Sequence, residues 1–241
     1  MKPALAGIAC IVAVSWIYLL AGAGMPTMAM DGGKVMLMPP PSWSIGYAAI
    51  TFAMWSIMMV AMMIPSAAPV IVRVASGAQG FSTAALFTLG YLIVWTIFSA
   101  FATTAQWVFD SAHVLSDTMA IRSEVAAGLI ITAAGLYQLS PLKRNCLRRC
   151  CSAKNLLGDD QNRSPSAAVR AGLNYGVSCL GCCWALMCLL FVVGVMNIFW
   201  IAVIAVLVLA EKTLPSGLRL ARIAAVGLIG WGSAALAMAV L

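Results

Sequence analysis

The chain has 241 residues, of which 63% are hydrophobic and 9% charged, and its net charge is +7. A soluble domain carries about 25% charged residues, so this surface is too apolar to face water and must be covered by lipid. Long continuous apolar runs exclude a membrane barrel, whose strands alternate, and leave helices as the fold that satisfies its own backbone in a bilayer.

The sequence predicts an all-α polytopic membrane bundle of about seven transmembrane helices. The first, residues 4–24, follows Lys2 and is long enough to span. No convincing small-x-small cleavage site follows it, so we read it as a retained anchor rather than a signal peptide. Next comes an outer loop, MPTMAMDGGKVMLMPPPSW, with five methionines and four prolines. The second, third and fourth helices are expected at 45–64, 83–108 and 125–140. The one long polar segment, 141–170, is expected as an inner loop, followed by helices at 171–196, 198–211 and 223–241. No repeat or separate soluble domain is visible, so residues 1–241 read as a single integral membrane domain.

Seven spans make the loops alternate between two sides. With the N-terminus inside, 12 of the 14 Lys and Arg residues fall on one side, and Lys34 and Arg122 are left on the other. Bias of this kind in short loops sets orientation, and it predicts an N-in, C-out protein of the cell inner (plasma) membrane. The basic excess is then a topology signal, and no nucleic-acid partner is expected.

Cysteine carries the strongest chemical signal. Cys146, Cys150 and Cys151 follow the fourth helix, and Cys179, Cys182 and Cys183 are expected in the first turns of the fifth. Six of the eight cysteines thus converge on the inner end of one helical hairpin, where the cytoplasm keeps thiols reduced. On a helix Cys179, Cys182 and Cys183 share a face, as do Cys146 and Cys150 if the fourth helix continues past Pro141. Clustered thiolates suit Cu(I), Zn(II) or an iron–sulfur centre; zinc and iron–sulfur centres want about four ligands, whereas Cu(I) accepts fewer, so Cu(I) is favoured over Zn(II). Packing alone explains Cys10 and Cys188.

Methionine is the second signal, with 15 residues. Met58, Met59, Met62 and Met63 lie toward the inner end of the second helix, and Met28/Met30 and Met36/Met38 form M-x-M pairs in the outer loop. Thioethers are soft ligands, although a methionine stripe also serves as adaptable packing. We take Met58 and Met62 as candidate ligands. His113, the single histidine, lies in an outer loop and supports no Ser–His–Asp set. Glu211 and Lys212 end the sixth helix, either marking the membrane interface or serving function.

The strings MVAMMIPSAAP, GLYQLSPLKRNCLRRC and GVSCLGCCWALMCLLFVVGVMNIFW, followed by EKTLPSG, resemble an uncharacterised bacterial family of predicted metal-binding integral membrane proteins, domain of unknown function 2182. The resemblance covers roughly residues 45–217 and implies metal binding by Cys146, Cys150, Cys179, Cys182 and Cys183. Some members carry His where this chain has Tyr175, which implies a thiolate-only site here. Cys151 is an extra residue beside the family's C-x3-C.

Together these features predict a metal-binding membrane protein that transports or delivers copper through an inner-face cysteine cluster, with a metallochaperone or membrane metalloenzyme as partner. Two other classes compete. One is a membrane thiol oxidoreductase whose cysteines are activated by a helix N-terminus beside Arg148, Arg149 and Arg170. The other is an assembly factor that inserts metal into a membrane enzyme.

Overall fold

The protein is described from a computed structural model, which covers residues 2–22, 27–29, 35–37, 43–76, 80–116, 119–151 and 164–240. Among these residues the chain forms nine helices and one small hairpin. In order they are α1 (Lys2–Leu20), β1 (Thr27–Ala29), β2 (Val35–Leu37), α2 (Ile45–Ala75), α3 (Gly80–Ser111), α4 (Glu124–Leu139), α5 (Pro141–Cys151), α6 (Pro165–Cys188), α7 (Leu190–Val193), α8 (Ile198–Thr213) and α9 (Gly217–Val240).

Six of the seven apolar segments each coincide with one helix, the first ending at Leu20 short of residue 24; the fifth, 171–196, is split between α6 and α7. Several helices outrun their segments. The second segment is only the first part of α2, which continues through Pro65 and Pro69 to Ala75. The fifth begins earlier than its apolar run, with Pro165 in the first turn of α6, where the missing N–H costs no internal hydrogen bond. Starts are set locally: the Ser44, Ser123 and Asn197 side chains cap α2, α4 and α8 by accepting from Tyr47, Ala126 and Trp200 amides.

The polar segment expected as a loop is partly helical. Residues 141–151 form α5, turned 60° from α4. Its buried residues, Lys143, Leu147 and Cys150, recur at i, i+4 and i+7, the spacing of one helical face, while Arg144, Arg148 and Arg149 are exposed.

Among the described residues four stretches are long and apolar enough to cross a membrane: α2, α3, Pro165–Val193 and most of α9, with a fifth if α4 and α5 form one bent span. The apolar part of α1 and the 16-residue α8 are shorter. Exposed Ile223, Val226 and Met238 leave the outer face of α9 apolar, as contact with lipid requires.

Inside the bundle, α2 packs against α1, α3 and α8, while α4 lies along α9. Helices α3 and α6 meet backbone to backbone: a Cβ on Gly90 would strike the Val169 carbonyl, and one on Gly172 the Phe87 carbonyl. Small residues allow such close approach between membrane helices. This contact fixes α6 against α3, which packs on α2, where Met54, Met58, Met62 and Met63 are fully buried.

Candidate metal centre

The cysteines of α6 lie deeper than their sequence position suggests. Since α6 starts at Pro165, Cys179 sits about four turns, or ~20 Å, from the helix N-terminus. The expectation that Cys179, Cys182 and Cys183 occupy the first turns of their helix is therefore corrected. They are also almost wholly buried, at 0%, 2% and 1% exposure. The helix macrodipole acts on the terminal turn, so it does not reach these thiols.

Their mutual arrangement follows from helical spacing. Cys182 and Cys183 Sγ atoms are 3.7 Å apart, and both donate to the Cys179 carbonyl, at 3.0 and 2.7 Å. From α5, which packs on α6, buried Cys150 faces the Cys182 thiol. Cys146 is half-buried one turn earlier and rests on Gly181, where an added Cβ would lie 2.7 Å from its Sγ. Glycine in CLGCC is thus what admits α5 against α6. Cys151 is exposed and donates at 3.5 Å to the Lys212 carbonyl. All eight cysteines are free thiols.

Other elements close a ring around Cys179. Lys212 of α8 donates from Nζ to Cys179 Sγ at 2.8 Å and to Ser66 Oγ at 3.1 Å. Ser66 donates to the Met63 carbonyl at 2.8 Å, which also accepts from the Tyr91 hydroxyl at 3.1 Å. The Tyr91 oxygen lies 3.2 Å from Cys179 Sγ, completing the circuit. Four helices, α2, α3, α6 and α8, each supply a link. Tyr175, one turn before Cys179, packs its ring at a tilt against both Tyr91 and Phe87, with centroids 5.6 Å apart in each pair.

The neighbouring Glu211 faces α5. Its carboxylate accepts from Lys143 Nζ at 2.7 Å, with the two side chains 2% and 1% exposed. Gln138 completes this buried set, accepting from Lys143 and donating to Glu211 at 3.3 Å. The adjacent residues Glu211 and Lys212 thus tie α8 to two places: one holds α5 in position, and the other touches the thiols. Both members of the pair thus have partners inside the protein.

Met58 and Met62, the two candidate thioether ligands, are both fully buried on α2. Met62 stands four residues before Ser66 and so shares its helical face; Met58 is one turn further along. At the other end of this stripe Trp55 donates to Gln106 at 2.8 Å, and Gln106 donates to Met119 Sδ at 3.4 Å. In the hairpin, Met28 and Met36 are backbone partners, whereas Met30 and Met38 lie outside the described residues. His113 is exposed with a φ of 55°.

Among the described residues, no three Cys, His, Asp or Glu side chains are grouped so that they could hold a metal ion together. What the cluster offers a soft cation is a pair of thiols, Cys182 and Cys183, 3.7 Å apart. Sequence reasoning missed Tyr91, Ser66, Gly181 and the inward turn of Lys143. Only Lys212 carried a signal, as an ionisable residue at the end of an apolar run.

Among comparisons with known proteins, a family model described as PpoB2, copper chaperone, matches residues 52–235. No curated protein and no solved structure matches the chain.

Proposed function

The chain belongs to the PpoB2 family of copper chaperones, and from that premise we propose that it binds Cu(I) at the buried thiols and hands it to an acceptor protein. The observation that carries this reading is the cysteine cluster itself, which lies within the matched region and beside the Met62–Ser66 face of α2. Two of the thiols of Cys150, Cys179, Cys182 and Cys183 hold the ion at a time, Cys146 is a relay on α5, and Met58 and Met62 line the approach. Soft sulfur suits Cu(I), and two-coordinate binding suits it better than Zn(II), which wants about four ligands. In transfer, a thiol bonds the incoming ion as the donor's ligand leaves. The thiol proton passes to solvent, and the oxidation state of copper does not change.

In this proposal the whole chain is one integral membrane domain with seven spans, N-in and C-out, in a bacterial inner membrane. The positive-inside bias supports it, and so does α5, whose exposed Arg144, Arg148 and Arg149 suit the inner membrane surface. The acceptor is a membrane or secreted copper enzyme, or a second metallochaperone. The thiol oxidoreductase reading loses the helix-end activation it relied on, because four turns of α6 precede Cys179.

The test is elemental analysis of full-length protein purified anaerobically under reducing conditions. The wild type is expected to retain about one copper per chain, and Cys182→Ser with Cys183→Ser to lose it. Copper at the same stoichiometry in both proteins, or in neither, would falsify the assignment.

A further inference from the structure

The metal-ligand reading leaves Lys212 unexplained. A lysine is an unusual neighbour for a soft-metal site, because its ammonium ion repels an incoming cation. Nonetheless it is directed into the thiols, 2.8 Å from Cys179 Sγ, and is held there by Ser66 Oγ at 3.1 Å. It cannot be discounted as the partner of the adjacent carboxylate, since Glu211 is bonded to Lys143 and Gln138. Those two buried charges cancel each other. Lys212 therefore brings one positive charge to the cluster.

Charge in a buried, lipid-surrounded site must sum close to zero, because desolvating a net charge costs several kcal/mol. Two thiols that lose their protons to solvent while binding Cu(I) make a complex with one negative charge. With Lys212 the sum is zero. The same two thiolates with Zn(II) make a neutral complex, and Lys212 then leaves one positive charge uncompensated. A neutral thioether such as Met62 changes neither sum. A three-thiolate zinc complex would also balance, but the described thiols are not grouped in threes to hold a metal.

We propose that Lys212 is the specificity-determining residue of this site: its ammonium group is the built-in counter-charge of a two-thiolate complex, so the cluster takes a monovalent soft cation, Cu(I) or Ag(I), in preference to a divalent one. This rests on the copper-delivery reading and adds a role for a residue that does not itself bind metal. Ser66 is a positioning residue in the same device, because it orients the ammonium group toward Cys179.

The experiment uses full-length protein in detergent under anaerobic, reducing conditions. Affinities for Cu(I) and for Zn(II) are measured by competition with chromogenic chelators. Lys212→Met and Lys212→Gln remove the charge by two different side chains, and Lys212→Arg keeps it. Removing a unit charge a few ångströms from the complex is expected to lower the Cu(I):Zn(II) affinity ratio by about tenfold or more in both neutral variants, with Lys212→Arg close to wild type. An unchanged ratio in a folded neutral variant overturns the inference and leaves copper delivery standing. A ratio that falls equally in Lys212→Arg also overturns it, since geometry rather than charge would then be at work. A wild type with no Cu(I) affinity removes the delivery reading and this inference together.

Discussion

Lys143 and Glu211 are paired at 2.7 Å with almost no access to solvent, and Gln138 hydrogen-bonds to both. A buried pair of this kind adds little net stability, but breaking it strands a charge at a cost of about 3–5 kcal/mol. Lys143→Met should therefore destabilise the protein by that amount in equilibrium unfolding in detergent. Adding Glu211→Gln should restore more than half of it, because the amide so introduced can exchange hydrogen bonds with Gln138. A double variant no more stable than the single one would show that Lys143 acts through packing instead. The residue scale is also where the sequence was least informative. Cysteines could be recognised by type, but Tyr91 and Ser66 reach Cys179 across 88 residues of chain and through Lys212 of α8. No local pattern encodes such contacts.

At the scale of elements, α5 and α6 depend on each other through one glycine. Gly181 leaves the gap that Cys146 Sγ fills, and the same docking presses Cys150 toward Cys182. Gly181→Ala can be met by turning the Cys146 side chain away, whereas Gly181→Val requires α5 to lift. The valine variant should cost about 1–3 kcal/mol of stability, the usual range for overpacking. It should also raise maleimide labelling of Cys150, now 3% exposed, as read from the modified peptide by mass spectrometry. Labelling as slow as in wild type would mean that α5 does not hinge on this contact. Apolar runs located the core of every long helix, because lipid and protein interior impose the same demand. They did not locate helix ends. Helix α2 runs through two prolines to Ala75 and α6 opens on polar turns, where neighbouring helices rather than lipid support the backbone. Helix α5 was legible only as a conditional continuation of the fourth helix, because one of its three buried positions is Lys143, which reads as a surface residue until its partner on α8 is known.

On the scale of the whole molecule, the chain belongs to a copper-chaperone family, has four stretches long and apolar enough to cross a membrane among its described residues, and encloses its cysteine cluster in protein. The Lys212–Ser66–Met63–Tyr91–Cys179 circuit draws its five residues from four helices, so the place where copper would sit is also a place where those helices are fastened together. A ligand that binds only the folded state stabilises it by about 2.7 kcal/mol at a hundredfold excess over its dissociation constant. For a chain of this size that corresponds to a rise of roughly 5–10 °C in melting temperature. Wild-type protein should show this rise with Cu(I), and the Cys182→Ser, Cys183→Ser variant should not; equal melting curves for both would count against a site inside the circuit. Cu(I) is colourless, which makes loading hard to follow directly. A bundle clasped at its own cargo site supplies the missing gauge, because its resistance to heat records how much of the population is carrying metal.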